Sequence, residues 1–226
     1  MIGIIEHIPM AGIIVFMILS KIPGVETQAT RIVMVLIGLA AAAAVYVLNR
    51  RHRASPIHKA MLTFLILAGL TFWVWPQGAG RMVAAFPASA LYLVLFITAV
   101  GPPIIGRDVF TMYFARRTTP EAVWETDIFR TINAHLTAVW AVLFLCGFLS
   151  GLVPQVMNLE GAFNEILFEG VFPGILMLGI GVPANKRYPL YYQKKLGLTP
   201  TDNPSAAVED GIESRRKGPE ASRLDK

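Results

Sequence analysis

The chain has 226 residues, 54% of them hydrophobic and only 15% charged, with a net charge of +5. Water-soluble chains carry roughly 25% charged residues; here the apolar residues come in blocks instead of alternating with polar ones, which excludes an ordinary soluble domain. One cysteine, Cys146, and four scattered histidines (His7, His52, His58, His135) exclude a disulfide framework and Cys/His metal spacing. The basic residues are not gathered with base-stacking aromatics, so they imply phospholipid and not nucleic acid as the anionic partner.

Six apolar segments follow one another at 4–22, 32–48, 60–75, 83–105, 132–153 and 166–183. A spanning helix needs roughly 20 residues to cross about 30 Å of hydrocarbon. The last four fit that length once flanking residues are added, and the second, "IVMVLIGLAAAAAVYVL", is short but uninterrupted. Glu6, His7 and Pro9 interrupt the first near its start. It reads as a span whose polar residues lie among the headgroups, with an interfacial segment as the other reading, which would leave five spans. A secretory signal is disfavoured because "MIGIIEH" has no basic n-region and no small-residue cleavage site follows. In hydrocarbon only a helix or a closed barrel satisfies every backbone polar group, and the runs lack the alternation of barrel strands. The expectation is an all-α polytopic membrane protein, with a helical membrane domain over 1–183.

Lysine and arginine placement sets the orientation. With both termini cytoplasmic, 17 of the 20 basic residues fall inside, and only Lys21, Arg31 and Arg81 lie outside. From 184 the composition changes to a basic, tyrosine-rich stretch, "NKRYPLYYQKK", expected to anchor on anionic lipid. The remainder of 184–226, rich in Pro, Gly, Ser and charge, reads as a disordered cytoplasmic tail. No internal repeat points to an inverted-repeat transporter.

Between the fourth and fifth spans lies a charged and aromatic island, "GRDVFTMYFARRTTPEAVWETDIFR", in the cytoplasmic loop 106–131. Val109, Phe110, Tyr113 and Phe114 share one helical face, with Asp108 at the favourable start and Arg116 and Arg117 at the favourable end of the helix dipole. That pattern predicts an amphipathic helix in the headgroup region, with Phe110, Tyr113, Phe114, Arg116, Arg117 and Trp124 as interfacial residues. "TTPE" then predicts a new helix start. The four-residue repeat Trp124, Ile128, Ile132, Leu136 predicts that the fifth span continues into the cytoplasm as one long helix. The acids Asp108, Glu121, Glu125 and Asp127 read as caps and as partners of Arg107, Arg116 and Arg130. They do not read as catalytic groups, since no nucleophile with its base, phosphate loop or metal triad accompanies them. No cofactor is expected.

Ionisable groups inside spans are costly and often functional. Glu169, with Glu165 one turn before it, is either a proton-carrying group or a glutamate reached by water near the outer headgroups. His135 reads as an interfacial histidine near the cytoplasmic end of the fifth span, and Glu6 and His7 as headgroup residues. Gly147/Gly151 and Gly170/Gly174 repeat the G-x-x-x-G spacing toward the outer ends of the fifth and sixth spans. Consecutive spans joined by a short loop could press these glycines together, with Cys146 as a small packing residue.

The opening "EHIPMAGIIVFMILSKI", the basic loop "NRRHR" and the segment "VWETDIFRTINAHLTAVWAVLFLCGF" together resemble the bacterial intracellular septation protein A family of inner-membrane proteins. The similarity extends over about 4–190; the fourth loop is longer than the family's, and the tail is an extension. The resemblance implies a non-enzymatic role in envelope maintenance or cell division, through contacts with other inner-membrane proteins. A small transporter or channel using Glu169, possible as a homo-oligomer, is the competing expectation.

Overall fold

The computed structural model describes residues 27–48, 55–159 and 161–197, and every regular element among them is helical. The expected first span, the basic loop "NRRHR" and the tail beyond 197 lie outside the described residues. Helix α1 runs Gln28–Leu48 and α2 runs Pro56–Val74. Ser55 starts α2 by accepting the His58 backbone N–H at 3.2 Å, with Pro56 in the first helical position where its missing N–H costs nothing. The two helices approach through small residues, Gly38 against Leu65 and Gly69 against Val35, and Gln28 Nε2 donates to the carbonyl of Phe72 at 3.0 Å.

The segment expected as one span over 83–105 is divided. A π-helical turn (Pro76–Gly80) leads into α3, Arg81–Ala85, and the chain breaks at Phe86 before α4, Pro87–Ile104. Proline disfavours helical geometry in the residue before it and then opens the next helix, which accounts for the break. Gly106, with φ of 70°, turns the chain out of α4.

The predicted amphipathic helix over the island is not observed. Its only α-helical part is α5, Met112–Ala115, followed by a 3-10 turn at Glu121–Val123. Thr111 is the reason. Its N–H and hydroxyl are taken by the next long helix, so Asp108 does not sit at a helix start and pairs instead with Arg116. "TTPE" likewise opens the 3-10 turn, and the long helix α6, Asp127–Val156, begins after Thr126. Thr126 accepts the Phe129 N–H at 3.3 Å and donates to the Val123 carbonyl at 2.7 Å, while Asp127 complements the dipole in the first turn. At 30 residues α6 is about 45 Å long, well beyond a hydrocarbon core.

Asn158 and Gly161, both with positive φ, reverse the chain into a last helix made of α7 (Ala162–Ile166), α8 (Phe172–Leu176) and α9 (Val182–Lys195), joined by π-helical turns at Leu167–Val171 and Met177–Gly181. Each widened turn precedes a proline, Pro173 or Pro183. A proline has no N–H for the carbonyl four residues back and its ring presses on that carbonyl; here those carbonyls belong to Glu169 and Gly179, one in each π turn. The helix also continues past 183, so the basic tyrosine-rich stretch up to Lys195 is part of it.

Among the described residues four helices are long and apolar enough to cross a membrane: α2, α4, α6 and the last helix over 163–195. α1 carries a shorter apolar stretch, Gln28–Ala40. Helix α6 packs on α4 and on the last helix, with α2 on the free side of α4 and α1 beyond it. Phe64, Leu65, Phe72, Leu91, Leu95, Ala99 and Phe144 form the core. Leu36, Ile66, Trp73, Ile97, Val142, Ile175 and Leu178 point outward and are exposed. Such large apolar patches mark a surface that meets something other than water.

Thr126→Ala is expected to cost about 1 kcal/mol through loss of the α6 cap, lowering the thermal unfolding midpoint in detergent, whereas Thr126→Ser is expected to retain it.

Candidate functional site

Two polar sites are built on α6, one toward each end. At the first, the chain of residues 107–126 folds onto the start of the helix. Thr111 N–H donates to Thr137 Oγ1 at 3.1 Å, and Thr111 Oγ1 donates to the Asn133 carbonyl at 2.7 Å while lying 2.9 Å from Thr137 Oγ1. Asn133 Nδ2 donates to the Phe129 carbonyl at 2.8 Å. All three residues are buried, so each hydrogen bond offsets a desolvation cost.

Around this network Met112, Val123 and Phe129 make a small apolar core under Trp124 and Val109. Phe110, expected at the headgroups, is a correction. It is 5% exposed, packs edge-on against Phe144 with ring centres 5.8 Å apart, and joins the main core. Thr111 anchors the backbone, and that anchoring turns the neighbouring ring inward. Phe114 is half-buried beside it, and Tyr113 meets Phe114 edge-on.

Arg116 is ion-paired with Asp108 and lies over the Trp124 ring, 5.4 Å from its centre. Trp124 Nε1–H donates to the Thr119 carbonyl at 2.9 Å, closing the loop. Arg117 lies over the Tyr113 ring at 5.8 Å, and Arg130 pairs with Glu125. This end of the molecule is therefore a folded cap with a cationic and aromatic exterior.

His135 is exposed on the same half of α6. Its Nδ1 is in hydrogen-bond contact with the Tyr188 hydroxyl, and its ring meets Tyr188 and Tyr192 edge-on. One turn further, Trp140 Nε1–H donates to Asn185 Oδ1 at 3.1 Å. These contacts fasten α9 along α6.

The second site lies toward the other end. Glu169, in the first π turn of the last helix, is 8% exposed and is the only buried acid among the described residues. Gly151 of α6 provides the space. A Cβ there would stand 1.8 Å from Ser89 Oγ of α4 and 3.3 Å from Glu169 Cγ, so serine and glutamate share one small volume against a bare backbone. A Cβ at Gly147 would stand 2.9 Å from the Tyr92 ring, and Tyr92 lies within electrostatic reach of Glu169. Ser150 Oγ donates to the Phe168 carbonyl at 2.6 Å, giving a partner to the widened turn.

The expectation that the two glycine pairs press on each other is corrected here. Gly147 and Gly151 seat α4 and Glu169, while a Cβ at Gly170 or Gly174 would meet none of the described residues within 4 Å. The proline-induced widening between the helical segments turns that second pair outward. Cys146 is half-buried beside Gly147.

Sequence reasoning singled out Glu169, Gly147 and Gly151 but missed Ser89, Tyr92 and the Thr111–Asn133–Thr137 network. The available signal was small or amide-bearing polar residues at four-residue spacing within apolar runs, as at Asn133 and Thr137. Among the described residues no three His, Cys, Asp or Glu side chains converge as a metal site. Comparison of the chain with protein-family models, curated proteins and solved structures finds no match.

Gly151→Ala is expected to destabilise the protein by about 1–3 kcal/mol through overpacking, read as a lowered unfolding midpoint, with partial recovery when Ser89→Ala is added. Gly170→Ala and Gly174→Ala are expected to be neutral or slightly stabilising. Thr137→Val, which leaves the buried Thr111 N–H without its acceptor, is expected to cost about 1–3 kcal/mol and to speed hydrogen exchange across 107–126, whereas Thr137→Ser is expected to do neither.

Proposed function

We propose that this chain is a six-span, non-enzymatic protein of the bacterial inner membrane, with both termini in the cytoplasm. In this reading it serves envelope maintenance or septation by touching other inner-membrane proteins through the cap at residues 107–126. The observation that carries the reading is the buried Thr111–Asn133–Thr137 network. A loop tied this firmly to a spanning helix is pre-organised, and pre-organised surfaces bind without first losing their own freedom.

Charge supports the orientation. Arg116, Arg117 and Arg130 stand on the side that the excess of lysine and arginine assigns to the cytoplasm, as do Lys186, Arg187, Lys194 and Lys195 of α9. There they also meet anionic lipid, at roughly 1 kcal/mol per basic residue close to the surface. The resemblance to the septation protein A family supplies the cellular role.

A photo-crosslinking residue placed at Glu121 in intact cells tests the proposal. Recovery of division or wall-synthesis membrane proteins is expected, with yields falling about tenfold, equivalent to 1.4 kcal/mol, on Arg117→Glu. Recovery of lipid adducts alone would refute the contact role. A reporter fused after Lys226 that is active only in the periplasm would refute the orientation.

The second reading is a small transporter or channel working through Glu169, favoured by the burial of that carboxyl on a widened turn. It predicts flux in proteoliposomes that Glu169→Gln abolishes. Equal flux in the variant would count against it, and recovery of only a homo-oligomer from the crosslinking experiment would count for it.

A further inference from the structure

We infer that Glu169, Ser89 and Tyr92 together form a proton-binding site within the bundle, open to exchange from the end at which α6 finishes. In this site Glu169 carries the proton and the two hydroxyls pass it to and from water. The only bonds made and broken are O–H bonds, and the proton comes from and returns to the aqueous phase.

Three observations carry the inference. First, an acid is buried where hydration cannot stabilise its charge, and the ionised form of a buried carboxyl is the costly one. Second, a hydroxyl from another helix reaches the same place, and Tyr92 of that helix lies within electrostatic reach of Glu169. Ser89 is 1% exposed, its Oγ has no hydrogen-bond partner among the described residues, and it projects into the volume that it shares with Glu169 over Gly151. A hydroxyl can both donate and accept, so it serves a carboxylate and a carboxylic acid equally, and a relay needs that property. Third, the turn that holds Glu169 is widened, with Pro173 behind it and the Phe168 carbonyl drawn toward Ser150. Such π-helical insertions inside longer helices occur frequently at functional sites.

A metal cation is the poorer occupant. Among the described residues the side chains of Ser89 and Glu169 share this volume, with Tyr92 within electrostatic reach, whereas a hard cation takes roughly six or more oxygens.

Among the described residues the titratable groups on the elements packed against this turn are few. α4 contributes Tyr92, α6 contributes Cys146 near this end, and α7 contributes Glu165 one turn before Glu169. Asp127, Arg130 and His135 belong to the opposite half of α6. The inference concerns binding and not movement, so it stands whether the protein is a contact protein or a transporter.

The test uses the full chain in lipid nanodiscs. Difference infrared spectra are recorded between about pH 5 and about pH 9 and followed through the carbonyl stretch of a protonated carboxylic acid. At about pH 7 a band is expected that Glu169→Gln removes. Glu169→Asp, which retracts the same carboxyl by one methylene, is expected to shift its frequency, and Ser89→Ala and Tyr92→Phe are expected to displace its titration. The aspartate variant keeps the test decisive if the glutamine variant does not fold.

A spectrum at about pH 7 that Glu169→Gln and Glu169→Asp both leave unchanged would overturn the proposal, because an ordinary glutamate has already ionised there. A titration that follows sodium concentration would also overturn it, in favour of a metal cation. Failure of flux in proteoliposomes would bear on the transport reading alone.

Discussion

The close approach of α4 to α6 over Gly147 and Gly151 governs much of the rest. In hydrocarbon there is no hydrophobic gain from pressing two apolar helices together, so packing and backbone proximity must supply the attraction. Two glycines one turn apart let the Tyr92 ring and the Ser89 side chain lie directly against the α6 backbone. α4 thereby becomes a close neighbour of α6, with α2 on the other side of α4 and the last helix completing the group around α6. The space left over Gly151 is also the space that Glu169 enters. Packing and the buried acid are thus consequences of one pair of missing side chains.

At the opposite end of α6 the logic is polar. A single threonine, Thr111, hands its backbone N–H and its hydroxyl to the helix and fixes the path of some 20 residues of loop. Around it charges are neutralised locally, Arg116 between Asp108 and Trp124, Arg130 against Glu125. Arg107 and Arg117, the latter over Tyr113, lie on the exterior together with the basic end of α9. The cap is a surface with a definite shape, although its sequence looks like a mixture of charge and aromatics.

Helical class and the positions of most long apolar helices were legible in the sequence, because hydrocarbon imposes the same length and backbone rule on every span. The long reach of α6 toward the loop was legible too, from the four-residue repeat of Ile128, Ile132 and Leu136, although Trp124, the first member of that repeat, lies before the helix starts. What misled was helical periodicity in the island. Phe110, Tyr113 and Phe114 fit an amphipathic pattern, but periodicity carries no information about a tertiary hydrogen bond, and Thr111 made one with α6. The G-x-x-x-G spacing was similarly ambiguous. It marked four glycines, and only the proline-widened turns determine that Gly147 and Gly151 are occupied while Gly170 and Gly174 are open. Glu169 could be noticed from its position in an apolar run, but its neighbours Ser89 and Tyr92 come from a helix about 80 residues earlier, beyond any local pattern.

The uninterrupted length of α6 has a mechanical consequence. Glu169 and the cap engage the same rod near its two ends, and a tilt of roughly 10° about one end of a 45 Å lever carries the other about 8 Å. Any rearrangement that altered how α4 or the last helix seats on Gly151 would be delivered, magnified, to the residues around Thr111, with no need for a chain of intermediate side-chain movements. A substitution beside Gly151 is therefore mechanically near to the residues around Thr111, although the two are far apart in space.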